Sequence, residues 1–145
     1  TMNIGEASPV RLIKAVKKLA PPGAHTIIDC PPGTTCPMIN AVAGSDFCLL
    51  VSEPTPFGLC DLKLAVETLE KIKVPHALVI NRADLGDGEM EPWCAEQGIK
   101  ILLQIPFDRA IAEAYSRGET LLAARPEYRM ALRAMFAAIE AEAVA

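Results

Sequence analysis

Clustered positive charge is absent: the 14 Lys and Arg are scattered among 18 Asp and Glu, for a net charge of −4. Binding along a phosphate backbone needs grouped Lys and Arg, so nucleic acid is not expected as the main partner. No apolar run reaches the roughly 18 residues that cross a bilayer, and the first residues lack the basic and apolar segments of a signal peptide. The expectation is a cytoplasmic chain with no membrane span. Cys30, Cys36, Cys48, Cys60 and Cys94 form no CxxC and are odd in number, which spells out neither a zinc knuckle nor a closed disulfide framework. Cys48, Cys60 and Cys94 lie in apolar or strand-like sequence, where a reduced Cys acts as a small hydrophobe. Aromatics are scarce at 5%.

What is present is 51% hydrophobic and 22% charged, the balance of a parallel sheet covered by helices and built from Ala, Val, Ile and Leu. A length of 145 residues suits a single α/β domain, residues 1–145, with a core of its own.

The stretch Thr26-Ile27-Ile28-Asp29-Cys30-Pro31-Pro32-Gly33 organises the rest. A β-branched run ending in an acid, followed at once by a stiff turn, predicts a buried strand that delivers Asp29 to the carboxyl edge of a parallel sheet. Open α/β sheets bind ligands at that edge. There Asp29 can hold the water shell of a nucleotide-bound Mg²⁺, which takes one or two carboxylates plus phosphate oxygens. Gly33, without a Cβ, can bring its backbone N–H close to a terminal phosphate. Cys30 and Cys36 flank this loop and are the two thiols with any claim to a metal or redox role.

In chain order, Met2 to Glu6 reads as a short strand, and Ser8-Pro9 as an N-cap and first-turn proline. Leu12, Ile13, Val16 and Leu19 recur at helical spacing, with Lys14, Lys17 and Lys18 on a solvated face. A short helix runs from Met38 to Ala43. Phe47–Val51, His76–Asn81 and Ile99–Ile105 are predicted strands. Between the first two, Thr55 caps and Pro56 starts a helix carrying Leu59, Leu62, Val66, Leu69 and Ile72. Leu85 to Pro92 is rich in Gly and acid and reads as a mobile loop before a helix at Glu91–Gln97. Asp108 caps a helix from Arg109 to Arg117, and Pro126 starts a helix that closes over the sheet. His25 and His76 read as ordinary residues.

A second constellation is Asn81-Arg82-Ala83-Asp84. An Asn at the mouth of a strand, beside a basic residue whose stem lies over a ring, can read a purine edge. The spacing also suits the N-[KR]-x-D motif of GTPases, which leaves ATP and GTP open. Pro106 and Phe107 offer a flat apolar wall for the same ring.

Taken together, Ile27 to Pro37, Ser52-Glu53-Pro54-Thr55-Pro56-Phe57-Gly58-Leu59, Val79-Ile80-Asn81-Arg82 and Ile105-Pro106-Phe107-Asp108 resemble the MinD/ParA-type P-loop ATPases. The resemblance is to the branch with an inserted ferredoxin domain, cobyrinic acid a,c-diamide synthase-like proteins among them, and runs from about Asn3 to Phe136. It implies a doubly wound parallel sheet of the SIMIBI type, ATP with Mg²⁺, and a nucleotide-driven homodimer. Asp29 would be the Walker B acid and metal-side carboxylate, and Pro32 and Gly33 the switch facing the γ-phosphate. Asn81, Arg82, Pro106, Phe107 and Asp108 would surround adenine and ribose. Iron–sulfur clusters would sit in the ferredoxin segment, serving electron or cluster transfer.

The sequence departs from that family in one decisive respect: it contains no G-x-x-x-x-G-K-[ST] and no lysine-rich variant of it. Nothing then cradles the α and β phosphates. The ferredoxin cysteines are missing as well. The expectation is therefore the C-terminal portion of such an ATPase, separated from its N-terminal P-loop half and inactive alone. The alternative is a free-standing, non-catalytic interaction module with a degenerate nucleotide-binding fold.

Overall fold

A computed structural model describes residues 9–30, 33 and 36–143. Its centre is a three-stranded parallel sheet in the order β1 (Cys48–Ser52), β2 (His76–Asn81), β3 (Ile101–Ile105). Cys48 lies opposite His76, and the ladder runs on to Ser52 opposite Ile80. Val79 pairs with Leu103 and Asn81 with Ile105, after an irregularity at Leu78/Val79. This is the α/β class that the sequence predicts, a parallel sheet with flanking helices.

Residues 77–80 of β2 are all apolar and buried, as suits the central strand of a parallel sheet. On one face Leu78 and Ile80 are fully buried, packing with Leu62 and Val66 of α3 (Pro56–Ile72) and with Met90 and Cys94 of α4 (Met90–Glu96). A second cluster joins Met38 and Val42 of α2 (Cys36–Val42) to Leu69 and Val74 at the far end of α3. α3 begins as its sequence requires: the Thr55 hydroxyl accepts from the Gly58 N–H at 3.0 Å, with Pro56 at the first helical position. It ends at Lys73, whose φ is 56°. The Lys63 ammonium lies 5.6 Å from the centre of the Trp93 ring, bridging the outer surfaces of α3 and α4.

The opposite face carries Leu49, Val51, Val79 and Leu103, under α5 (Arg109–Ser116) and α7 (Tyr128–Ala143). This cover is incomplete. α7 has no fully buried residue among those described, and Val51 is 65% exposed. α7 is held at its end by an ion pair between Lys100 and Glu142. A short helix the sequence reading missed, α6 (Leu121–Ala124), is capped by Thr120.

Four expectations need correction. Thr26–Asp29 is not a strand: residues 25–30 carry no regular secondary structure, and Ile27 is 90% exposed. A strand exists only through its ladder, and among the described residues no neighbouring strand pairs with this segment. Lys17 is not on a purely solvated face. Its ammonium donates to the carbonyls of Ala41 and Ala43, both at 2.7 Å, and so caps the open end of α2 from α1 (Pro9–Lys17). The loop expected over Leu85 to Pro92 is shorter than that: α4 begins at Met90, which is fully buried, and a Cβ on Gly86 would lie 2.4 Å from the Pro54 carbonyl. Cys60 is exposed on α3, whereas Cys94 is buried and Cys48 half-buried. The expected strand at Met2–Glu6, the Ser8 cap and Pro32 lie outside the described residues.

Candidate functional site

All three strands point their carboxyl ends the same way, so the turns after β1, β2 and β3 form one edge. A cavity of about 340 Å³ opens there, between the sheet and α5 and α7. This volume lies in the range of small-molecule sites, and its floor and roof are apolar. Its lining includes Asn81, Arg82, Pro106, Phe107 and Asp108, five of the residues singled out in the sequence.

Asn81 is the last residue of β2, half-buried, and lines the cavity at the strand mouth. Arg82 follows with a φ of 51°, in the left-handed region that costs a residue with a Cβ on the order of 1 kcal/mol. Its guanidinium carbon lies 5.8 Å from the centre of the Phe107 ring, and its Nε 3.4 Å from Glu53 Oε1. The turn after β2 is tied to the turn after β3 twice. The Ala83 N–H donates to the Ile105 carbonyl at 3.0 Å, and the Phe107 N–H donates to Asp84 Oδ1. The acid that the N-[KR]-x-D spacing offered as a base reader thus holds a loop.

Asp108 has work of its own. One carboxylate oxygen accepts from the Ala110 N–H at 2.8 Å, capping α5, and the other pairs with Arg125 Nε. The Arg125 guanidinium and the Ala110 N–H hold Asp108 below its usual carboxylate range. Sequence reasoning missed Arg125, which sits 17 residues away in a turn with no local signal. It also missed Tyr115, Leu132 and Met135 as cavity walls.

Asp29 and Gly33 are not part of this cavity. Both are exposed, and Gly33 has a φ of 89° with open space where a Cβ would stand. Cys30 is half-buried against the Met38–Val42 cluster, as is Cys48. Burial pushes the Cys48 thiol up to about 11 and raises that of Cys30, so both are protonated near neutrality. Cys36 is exposed.

Over 122 residues, 83% of its length, the chain is 33% identical to an uncharacterized protein of Methanocaldococcus jannaschii, of which it covers 42%. It is similar to proteins named for iron–sulfur clusters. A cytosolic Fe-S cluster assembly factor NUBP1 homolog of Caenorhabditis briggsae is 29% identical over 128 residues, covering 74% of this chain and 41% of the relative. An iron-sulfur cluster carrier protein of Aquifex aeolicus is 26% identical over 120 residues, covering 72% and 33%. The chain spans about two fifths or less of the length of these curated relatives. No protein-family model matches it. Among the described residues no helix is long and apolar enough to cross a membrane.

Proposed function

We propose that this chain forms the switch and base-pocket portion of a MinD/ParA-type, ATP-binding ATPase linked to iron–sulfur or electron-transfer chemistry. The observation that carries the reading is the convergence of Asn81, Arg82, Pro106, Phe107 and Asp108 on one cavity at the carboxyl edge of a parallel sheet. The relatives named for iron–sulfur cluster carriage and assembly support the linked chemistry. In this reading Pro106 and Phe107 form the wall against adenine and the Asn81 amide reads its edge. Asp108, through its cap, fixes the start of α5 beside the ribose.

Mg²⁺ demands little of the protein, one or two carboxylates beside phosphate oxygens and water, and the exposed Asp29 fits that demand. When bound, the ion neutralises charge developing on the phosphates. The open, left-handed Gly33 suits a backbone N–H presented to the terminal phosphate. An iron–sulfur cluster fits less well. Clusters are held by several thiolates, and no group of three or more His, Cys, Asp or Glu gathers among the described residues. Because the 145 residues include no G-x-x-x-x-G-K-[ST], the α/β-phosphate cradle comes from outside them, and these residues alone are expected to bind a base weakly and hydrolyse nothing. Among the described residues β1 and β3 each pair on one side only, and such an open edge is a surface through which two copies would associate.

The test is titration of the isotope-labelled chain with adenosine, ATP and GTP. Backbone signals of Asn81, Arg82 and Phe107 should shift with adenosine and ATP and less with GTP. No shift at millimolar adenosine overturns the base pocket, and robust ATP turnover by the chain overturns its being a portion. A second reading, a non-catalytic interaction module, is favoured by the commitment of Asp84 and Asp108 to protein partners. Capture of a protein partner by a chain blind to adenosine would establish it.

A further inference from the structure

Arg82 stands at the cavity mouth with its backbone in the left-handed region without being glycine. Its guanidinium is met both by the Phe107 ring and by Glu53. Glu53 belongs to a different strand-end turn, and that turn is locked. Pro54 is fully buried, Thr55 caps α3, and the Ser52 hydroxyl donates to the Gly58 carbonyl at 3.1 Å. A Cβ on Gly58 would stand 2.1 Å from the Glu53 carbonyl oxygen, and one on Gly86 would stand 2.4 Å from the Pro54 carbonyl oxygen. The Glu53 carboxylate is therefore carried on a rigid support, whereas the arginine it meets has a long, flexible stem.

We propose that Glu53 is a positioning residue that keeps the Arg82 guanidinium against Phe107 and so sets which part of a nucleotide the mouth accepts; this rests on the base-pocket reading above. Two effects follow from the one carboxylate. It fixes the guanidinium off the path of the base, so that the Asn81 amide stays accessible to a purine edge. It also balances the arginine's charge, so that the mouth does not draw in phosphate ahead of the ring. Without Glu53 the arginine becomes a loose cation, which phosphate recruits.

The experiment is a titration of the chain and its E53Q, E53D, R82Q and E53Q/R82Q variants with adenosine and, separately, inorganic phosphate, read by amide and arginine Nε–H resonances. In E53Q adenosine binding weakens about two- to fivefold, the scale of a half-exposed ion pair, while phosphate binding strengthens. E53D, which keeps the charge on a shorter stem, falls between. The Arg82 Nε–H signal moves in E53Q, and E53Q adds nothing once Arg82 is already Gln. A merely structural role for Glu53 would give additive losses and weaken both ligands alike, and that result overturns the proposal. So does wild-type adenosine affinity in E53Q. A wild-type chain that ignores adenosine defeats the base pocket itself, and the proposal falls with it.

Discussion

The two halves of the expected nucleotide site are built in opposite ways. Around the cavity mouth three side chains are tied to neighbours from other turns: Arg82 to Glu53 and Phe107, Asp84 to the Phe107 N–H, Asp108 to Arg125. At Asp29 and Gly33 the backbone stands outside the sheet and both residues are exposed. The first half is preorganised by a packed strand on either side. The second has a recognisable sequence but, among the described residues, no ladder to hold it. A motif thus names the chemistry, while its geometry comes from neighbours.

That contrast can be broken or sharpened by substitution. Leu78→Ala, at a fully buried position, should destabilise by about 2–5 kcal/mol in chemical denaturation, through lost burial and a cavity. Gly58→Ala places a methyl against the Glu53 carbonyl, backbone that cannot yield freely, and should cost about 1–3 kcal/mol while shifting the Arg82 signals. Thr55→Ala removes the α3 cap and should lower stability by about 1 kcal/mol. Asp108 gives a pH signature. Its carboxyl is held below its ordinary 3.8, so its share of stability is complete above about pH 4 and is lost as the pH falls below that value. Asp108→Asn should flatten that acid limb of the stability curve. Smallest of all, Ile27→Ala should stay within about 0.5 kcal/mol of wild type, because the side chain is 90% exposed. A large loss there would show that the segment packs as a strand after all.

Much of the fold was legible because its signals are local. The apolar runs of β1 to β3 and the Thr55 and Asp108 caps each depend on a few adjacent residues, and all are found. The place of Asn81 at the cavity was legible too, since a polar residue ending an apolar strand reaches the carboxyl edge by geometry alone. What was not legible were pairings between distant turns. Nothing near Arg125 says that it meets Asp108, and nothing near Asp84 says that it binds a backbone N–H 23 residues on. The Thr26–Asp29 strand was misread for the complementary reason: β-branched residues favour a pleated surface, but only where a partner strand supplies one.

The lone tryptophan sits on the covered face, against the Leu62–Cys94 cluster and beneath Lys63, with the sheet between it and the cavity. The molecule therefore carries an intrinsic optical reporter deaf to its own candidate ligand site. Trp93 emission should follow unfolding of the α3–α4 side and stay level as the cavity fills, so one sample can report stability and occupancy on separate channels.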